Sequence, residues 1–122
     1  MQALSVLVLQ SDSRVAQALS GVLSEHFSAV HVAESLEELR LAIPRYRTDV
    51  AIVDVELLRV AEIERIHREF PGLSIVCTHR VADEEMWATV LNAGASDMCP
   101  TYDTRSIVLS AMRQYSLSHA AA

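Results

Sequence analysis

The sequence predicts an α/β domain built on a doubly wound parallel sheet, and three observations carry that expectation. Short apolar runs alternate with helix-period segments from one end of the chain to the other. The alternation makes five strand–helix units, each of roughly the two dozen residues that a βα repeat occupies. No Ser/Gly-rich linker or low-complexity stretch interrupts them, and the units share no sequence-level repeat.

The first apolar run, Leu4 to Leu9, is Leu- and Val-rich and bounded by Gln10, Ser11 and Asp12, as a strand buried on both faces should be. Val15, Ala18, Leu19, Val22, Leu23 and Phe27 then recur at helical spacing, with Asp12 or Ser13 placed to cap the start. Ala29 to Ala33 reads as the second strand. Ser35 and Glu38 form a capping-box pattern ahead of Leu36, Leu39, Leu41 and Ile43, and Pro44 sets the end of that helix. The third strand, Val50 to Val55, is apolar except at Asp54. A helix over residues 60–69 presents Ile63, Ile66 and Phe70 on one face and leads to a turn at Pro71 and Gly72. Leu73 to Cys77 is the fourth strand. Asp83 caps a helix carrying Met86, Trp87, Val90 and Leu91, with Trp87 read as core, and Gly94 suits the left-handed position after its end. The fifth unit is a weak strand, Ser96 to Cys99, and a helix capped near Asp103 or Thr104 that carries Ile107, Val108, Ala111, Met112 and Tyr115. The domain is expected to span 1–115, with 116–122 as a tail or the start of a linker.

Composition narrows the chemistry. The chain has 122 residues, 51% of them hydrophobic, which suits one domain with a real core. A net charge of −6 disfavours a large footprint on nucleic acid or an anionic membrane. Lysine is absent, so there is no Walker phosphate loop, Schiff-base lysine or Ser-Lys hydrolase, and Arg must supply every strong side-chain cation. Cys77 and Cys99 lack a CxxC spacing and read as buried small hydrophobes, and the five histidines show no zinc-ligand spacing. The first ten residues have neither a basic n-region nor an apolar run long enough to span a bilayer, so a cytoplasmic location is expected.

Ligands of such sheets lie outside the carboxyl ends of the strands, which points to Gln10 to Ser13, Asp54 to Leu57, Thr78 to Arg80 and Met98 to Tyr102. Asp54 stands out as the one carboxylate in an otherwise apolar strand, where an ionised group needs solvent, a cation or hydrogen bonds. An Asp ending a strand and starting a turn is the bland alternative.

Several strings then resemble the response-regulator receiver domain of two-component phosphorelay signalling, over nearly the whole chain. SVLVLQSDSRVAQAL is similar to the receiver's first strand and helix, and DVAIVDVELL to the strand ending in the phosphoacceptor aspartate. IVCTH resembles the fourth strand with its hydroxyl residue, and NAGASDM the corner between fourth helix and fifth strand. The resemblance implies a flavodoxin-like (βα)5 sheet of order 2-1-3-4-5, with two helices on one face and three on the other. It also implies a non-enzymatic activity at most autophosphorylating from a donor: an aspartate accepts a phosphoryl group from a sensor histidine kinase, with one magnesium ion, and switches a partner.

Carried over residue by residue, the resemblance places the phosphoacceptor at Asp54 and the switch hydroxyl at Thr78. The acidic pair falls on Gln10 and Ser11, and the lysine on Thr101. Magnesium takes oxygen ligands and usually one or two carboxylates, so Asp54 alone holds it weakly, with Asp12 or Glu56 as candidate substitutes. Arg80 is the candidate phosphate-binding cation. The family's aromatic position on the fifth strand is Met98 here, and the loop from Thr78 to Gly94 is about one residue longer than the family's.

Three readings follow. The first is a receiver in which phosphorylation of Asp54 is weak or lost. The second is a pseudo-receiver acting as a protein-interaction or dimerisation module through the face of the fourth helix, fifth strand and fifth helix. The third is a small α/β hydrolase using Ser11, His79 and Asp54, although no GxSxG elbow is present.

Overall fold

The computed structural model describes residues 2–119, and the side chains of residues 4–114. Five strands, β1 (Gln2–Leu9), β2 (Phe27–Ala33), β3 (Val50–Asp54), β4 (Ser74–His79) and β5 (Asp97–Pro100), pair in parallel in the order β2-β1-β3-β4-β5. They alternate with α1 (Ser13–Leu23), α2 (Leu36–Arg45), α3 (Val60–Glu69), α4 (Glu84–Asn92) and α5 (Thr104–His119). This is the doubly wound α/β architecture that the alternation of strands and helices predicts, with the strand order that the receiver resemblance implies. The backbone of α5 continues past Tyr115 to His119; the Tyr115 side chain and residues 120–122 lie outside the described residues.

Strand periodicity of two divides the core into halves. Leu7, Leu9, Ala51, Val53, Ile75 and Cys77 point to the layer of α2, α3 and α4, where they meet Leu39, Ile43, Ile63, Ile66 and Val90. Val6, Val8, Val50, Ile52 and Val76 point the other way, to Leu19 and Leu23 of α1 and to Ile107, Val108 and Ala111 of α5. Cys77 and Cys99 thus sit in different half-cores, both buried and unpaired, and burial raises their thiols to about 12 and about 11.

Local chemistry sets the helix ends. Asp12 caps α1 by accepting from the Arg14 amide at 2.9 Å, Ser35 caps α2 through the Glu38 amide at 3.0 Å, and Asp83 caps α4 through Met86 at 2.9 Å. Asp103 accepts from the Ser106 amide at 3.1 Å and starts α5. Gly94 follows α4 at φ 110°, a conformation that costs an L side chain energy, and the His67 ring packs against its bare Cα.

Five expectations need correction. Phe27 is not part of the first helix, which ends at Leu23, but opens β2 and enters the core beside α1 from the strand. Pro44 lies inside the last turn of α2, which ends one residue later, since proline removes only a single backbone donor there. Leu41 is 69% exposed, because α2 turns Leu39, Ala42 and Ile43 to the sheet and Leu41 falls outside that stripe. Trp87 and Leu91 also face outward, Trp87 being 46% exposed, because α4 buries only Val90 fully. The fourth strand does not stop at Cys77: it runs through Thr78 and His79, whose register partners are Asp54, Cys99 and Pro100. No helix among the described residues is long and apolar enough to cross a membrane.

Candidate functional site at the carboxyl ends of the sheet

Parallel pairing brings the ends of β1, β3 and β4 side by side, so residues far apart in sequence share one small area. Leu9 pairs with Val53, which sets Gln10 and Ser11 beside Asp54, and Asp54 is itself the register partner of Thr78. The Val55 amide donates to the Thr78 carbonyl at 3.0 Å, extending that pairing past the strand end, and the Leu57 amide donates to the Asp54 carbonyl at 3.0 Å to close the turn.

Asp54 is 2% exposed and draws its stabilisation from the chain itself. Its Oδ2 accepts from the Ser11 hydroxyl at 2.6 Å and the Ser11 amide at 3.1 Å, and its Oδ1 accepts from the Glu56 amide at 2.9 Å. Three donors on one carboxylate meet the requirement for burying a charge without a metal or a salt bridge. Thr78 is fully buried, and its Oγ1 is bound by Gln10, whose Nε2 donates at 3.0 Å while Oε1 stands at 3.4 Å as acceptor for the hydroxyl.

Glu56 and Arg80 are paired with each other. Arg80 donates to Glu56 Oε1 through Nη2 at 2.6 Å and Nε at 3.0 Å, and the hydrogen bond and charge of Glu56 raise the guanidinium further above its ordinary value. Glu56 Oε2 also lies 3.4 Å from the Ser11 hydroxyl. A candidate metal carboxylate and a candidate phosphate cation thus satisfy one another across the top of Asp54. Asp12 is exposed and turned to its capping role.

Magnesium needs a near-octahedral set of oxygens, usually including one or two free carboxylates. Here Asp54 is triply hydrogen-bonded, Asp12 caps a helix and Glu56 is held by Arg80. Among the described residues no group of three His, Cys, Asp or Glu side chains could hold a metal ion. The donor set does not fit the ion that the receiver resemblance implies.

Thr101 is buried just after β5, with its amide donating to the His79 carbonyl at 3.0 Å and its Oγ1 without a partner. A hydroxyl there brings no charge to the site. Met98 is core, packed in the half that holds α3 and α4. His79 accepts from the Val81 amide through Nδ1 at 3.0 Å and points Nε2 at Glu56, 3.8 Å away. Among the described residues it makes no hydrogen bond to Ser11, whose hydroxyl goes directly to Asp54, so the Ser–His–Asp relay of a hydrolase is not assembled.

A second feature carried no sequence signal of its own. Ser13, Gln17 and Glu34 line a cavity on the β2 side of Gln10 and Ser11. Only the three-dimensional closeness of the ends of β1 and β2 reveals it.

No family model and no curated relative matches the sequence. Solved structures do. The chain is similar, at a TM-score of 0.88 and 20% identity, to NtrX from Brucella abortus in complex with ADP, covering 98% of this chain and 28% of that one. It matches a CheY-like response-regulator receiver domain protein from Methanospirillum hungatei at a TM-score of 0.86 and 18% identity, covering 99% and 100% of the two chains. It matches an orphan response regulator from H. pylori at 0.81 and 16% identity, covering 92% and 96%. The chain has the receiver-domain fold.

Proposed function

From the receiver fold and the satisfied site at Asp54, we propose that the chain is a signalling module of the response-regulator kind in which phosphorylation of Asp54 is weak or lost. Its output is then carried by contact with other proteins. The observation supporting this reading is the set of bonds that hold Asp54: both of its oxygens are engaged by Ser11 and Glu56. Phosphoryl transfer spreads negative charge over the transferred oxygens and depends on cations to stabilise it. The candidate cation on these loops is Arg80, and Glu56 holds it. Thr78, the switch hydroxyl of the resemblance, would have to leave Gln10 before it could follow a phosphate.

The interaction surface we assign to this module is the face of α4, β5 and α5. Trp87, Leu91, Tyr102 and Leu109 are exposed large hydrophobics there, with Val81 on the loop before α4. The occupant that suits this face is a second copy. Its α4 is led by the exposed acids Asp83, Glu84 and Glu85, its α5 carries the exposed Arg105 beside an Arg113 that pairs with Asp97 at 2.8 Å, and a two-fold arrangement sets Arg105 against the acids. A sensor kinase or other signalling protein is the further partner of this reading.

The deciding experiment is intact mass after incubation with acetyl phosphate or phosphoramidate and magnesium, beside a receiver that labels under the same conditions and an Asp54→Asn control. The expected result is little or no adduct. A stoichiometric phosphoryl adduct that vanishes in Asp54→Asn would overturn the proposal.

A further inference from the structure

Helices α3 and α4 close on each other at their carboxyl-terminal ends, where the His67 ring packs against the bare Cα of Gly94. Towards their amino-terminal ends they leave a groove of about 390 Å³ between them. Its apolar surface comes from Val55, Leu58, Val60, Ile63, Met86 and Val90. Val60 is 40% exposed and Met86 only partly buried, so this surface reaches solvent instead of being sealed by the fold. Leu57, beside Leu58 in the chain, is equally exposed.

The polar groups of the groove select what can enter it. Both charged side chains that line it, Asp83 and Glu85, are carboxylates; Arg59, although next to Val60 in the chain, does not line it. Asp83 commits Oδ1 to the Met86 amide and keeps Oδ2 open, while the Glu85 carboxylate has no partner among the described residues. Thr89, the other polar side chain of the lining, donates its hydroxyl to the Glu85 carbonyl at 2.8 Å. The lining side chains therefore offer acceptors and no free donor. Glu84 and Glu85 already fill the first turn of α4, so its amino-terminal dipole draws in no further anion. The fitting occupant has apolar surface with cations beside it, and a groove between two helices takes that as an amphipathic helix laid apolar face inward. The net charge of −6 attracts such a basic segment at longer range.

We propose that the α3–α4 groove docks a basic amphipathic helix of another protein. Its apolar side chains pack on Val60, Ile63 and Met86, and its lysines or arginines meet Asp83 and Glu85. The inference rests on the reading that the chain signals through protein contacts, and it gives that partner a chemistry. It is separate from the pairing of copies: Glu84 and Trp87 line a different depression, against Met98 and Pro100 on the β5 flank of α4. Its failure would leave the mass test of Asp54 and the association of copies where they stand.

The test is an NMR titration of the isotope-labelled full chain with a synthetic helical peptide carrying leucine on one face and lysine on its flanks. The expected result is saturable binding, with the largest shifts in the methyl groups of Val60, Ile63, Met86 and Val90. A peptide with glutamate for lysine, and one with alanine for leucine, should each bind about tenfold more weakly or worse. Val60→Ser and Glu85→Gln should each weaken binding about threefold, and Leu41→Ala, on the exposed side of α2, should leave it unchanged. Val60 and Glu85 are exposed, and unchanged thermal melts confirm that the variants fold. No saturable binding, equal affinity for the glutamate or the alanine peptide, or shifts centred on Trp87 and Leu109 would each overturn the proposal. Affinity untouched by both Val60→Ser and Glu85→Gln would do the same. So would the same methyl shifts produced by raising the protein concentration alone, which would give the groove to a second copy.

Discussion

Gln10 and Thr78 lend themselves to a quantitative test, because each is the other's side-chain partner and both are buried. Gln10→Leu leaves the Thr78 hydroxyl without a partner at 0% exposure, where water cannot replace the amide. A buried hydroxyl so orphaned costs ~1–3 kcal/mol. Thr78→Val keeps the shape but strands the Gln10 amide, for a cost of about 1–2 kcal/mol. The double variant removes both polar partners together, so it should cost much less than the sum, with a coupling of about 1.5–2 kcal/mol. For a chain of 122 residues, 1 kcal/mol corresponds to about 4 °C in Tm. Urea and thermal unfolding of the four proteins measure the cycle. Costs that add to within about 0.5 kcal/mol would refute the claim that Gln10 holds the switch hydroxyl.

Gly94→Ala should lose about 2–4 kcal/mol, since a Cβ there meets the His67 ring at 2.5 Å and φ is 110°. In a His67→Ala background only the backbone part, ~1–2 kcal/mol, should remain, and denaturant unfolding separates the two. The buried thiols predict an alkaline limit. Because the folded-state values of Cys77 and Cys99 are raised from 9.0, their contribution is intact below pH 9 and is lost as pH rises from 9 towards about 12. Cys77→Ala should therefore flatten the pH dependence of Tm in that window, whatever its cost at neutral pH. Trp87→Ala should leave stability within about 1 kcal/mol, because the residue is half exposed, while making the chain monomeric by sedimentation at concentrations where the parent associates. Unchanged association would remove α4 from the interface.

Elements governed by neighbouring residues were legible in the sequence. Asp12, Ser35, Asp83 and Gly94 act where they stand because caps depend on contacts two or three residues away. Those governed by distant residues were not. The apolar run ends the fourth strand at Cys77, yet β3 and β5 supply ladder partners that carry it through Thr78 and His79. The apolar stripe of α4 looked wider than its buried face, since periodicity counts Trp87 and Leu91 without knowing that α4 packs on one side only. At the site, the positions of Asp54, Thr78, Gln10 and Ser11 could be read from strand ends. Their mutual bonds could not: Gln10 and Thr78 are 68 residues apart, and Glu56 and Arg80 are 24 apart. In the sequence Glu56 and Arg80 are separate candidates for holding a metal and a phosphate, whereas in the fold each occupies the other.

The division of the core into two halves also bears on how the chain folds. Ile52 and Val53 are adjacent on β3, yet Ile52 belongs to the layer of α1 and α5 and Val53 to the layer of α2, α3 and α4. Conservative truncations at such neighbouring positions, Ile52→Val beside Val53→Ala, perturb the same strand but different layers. Their effects on folding and unfolding rates thus report separately on each layer in the transition state. A strand that alternates in this way gives one element two independent probes, one for each helical layer.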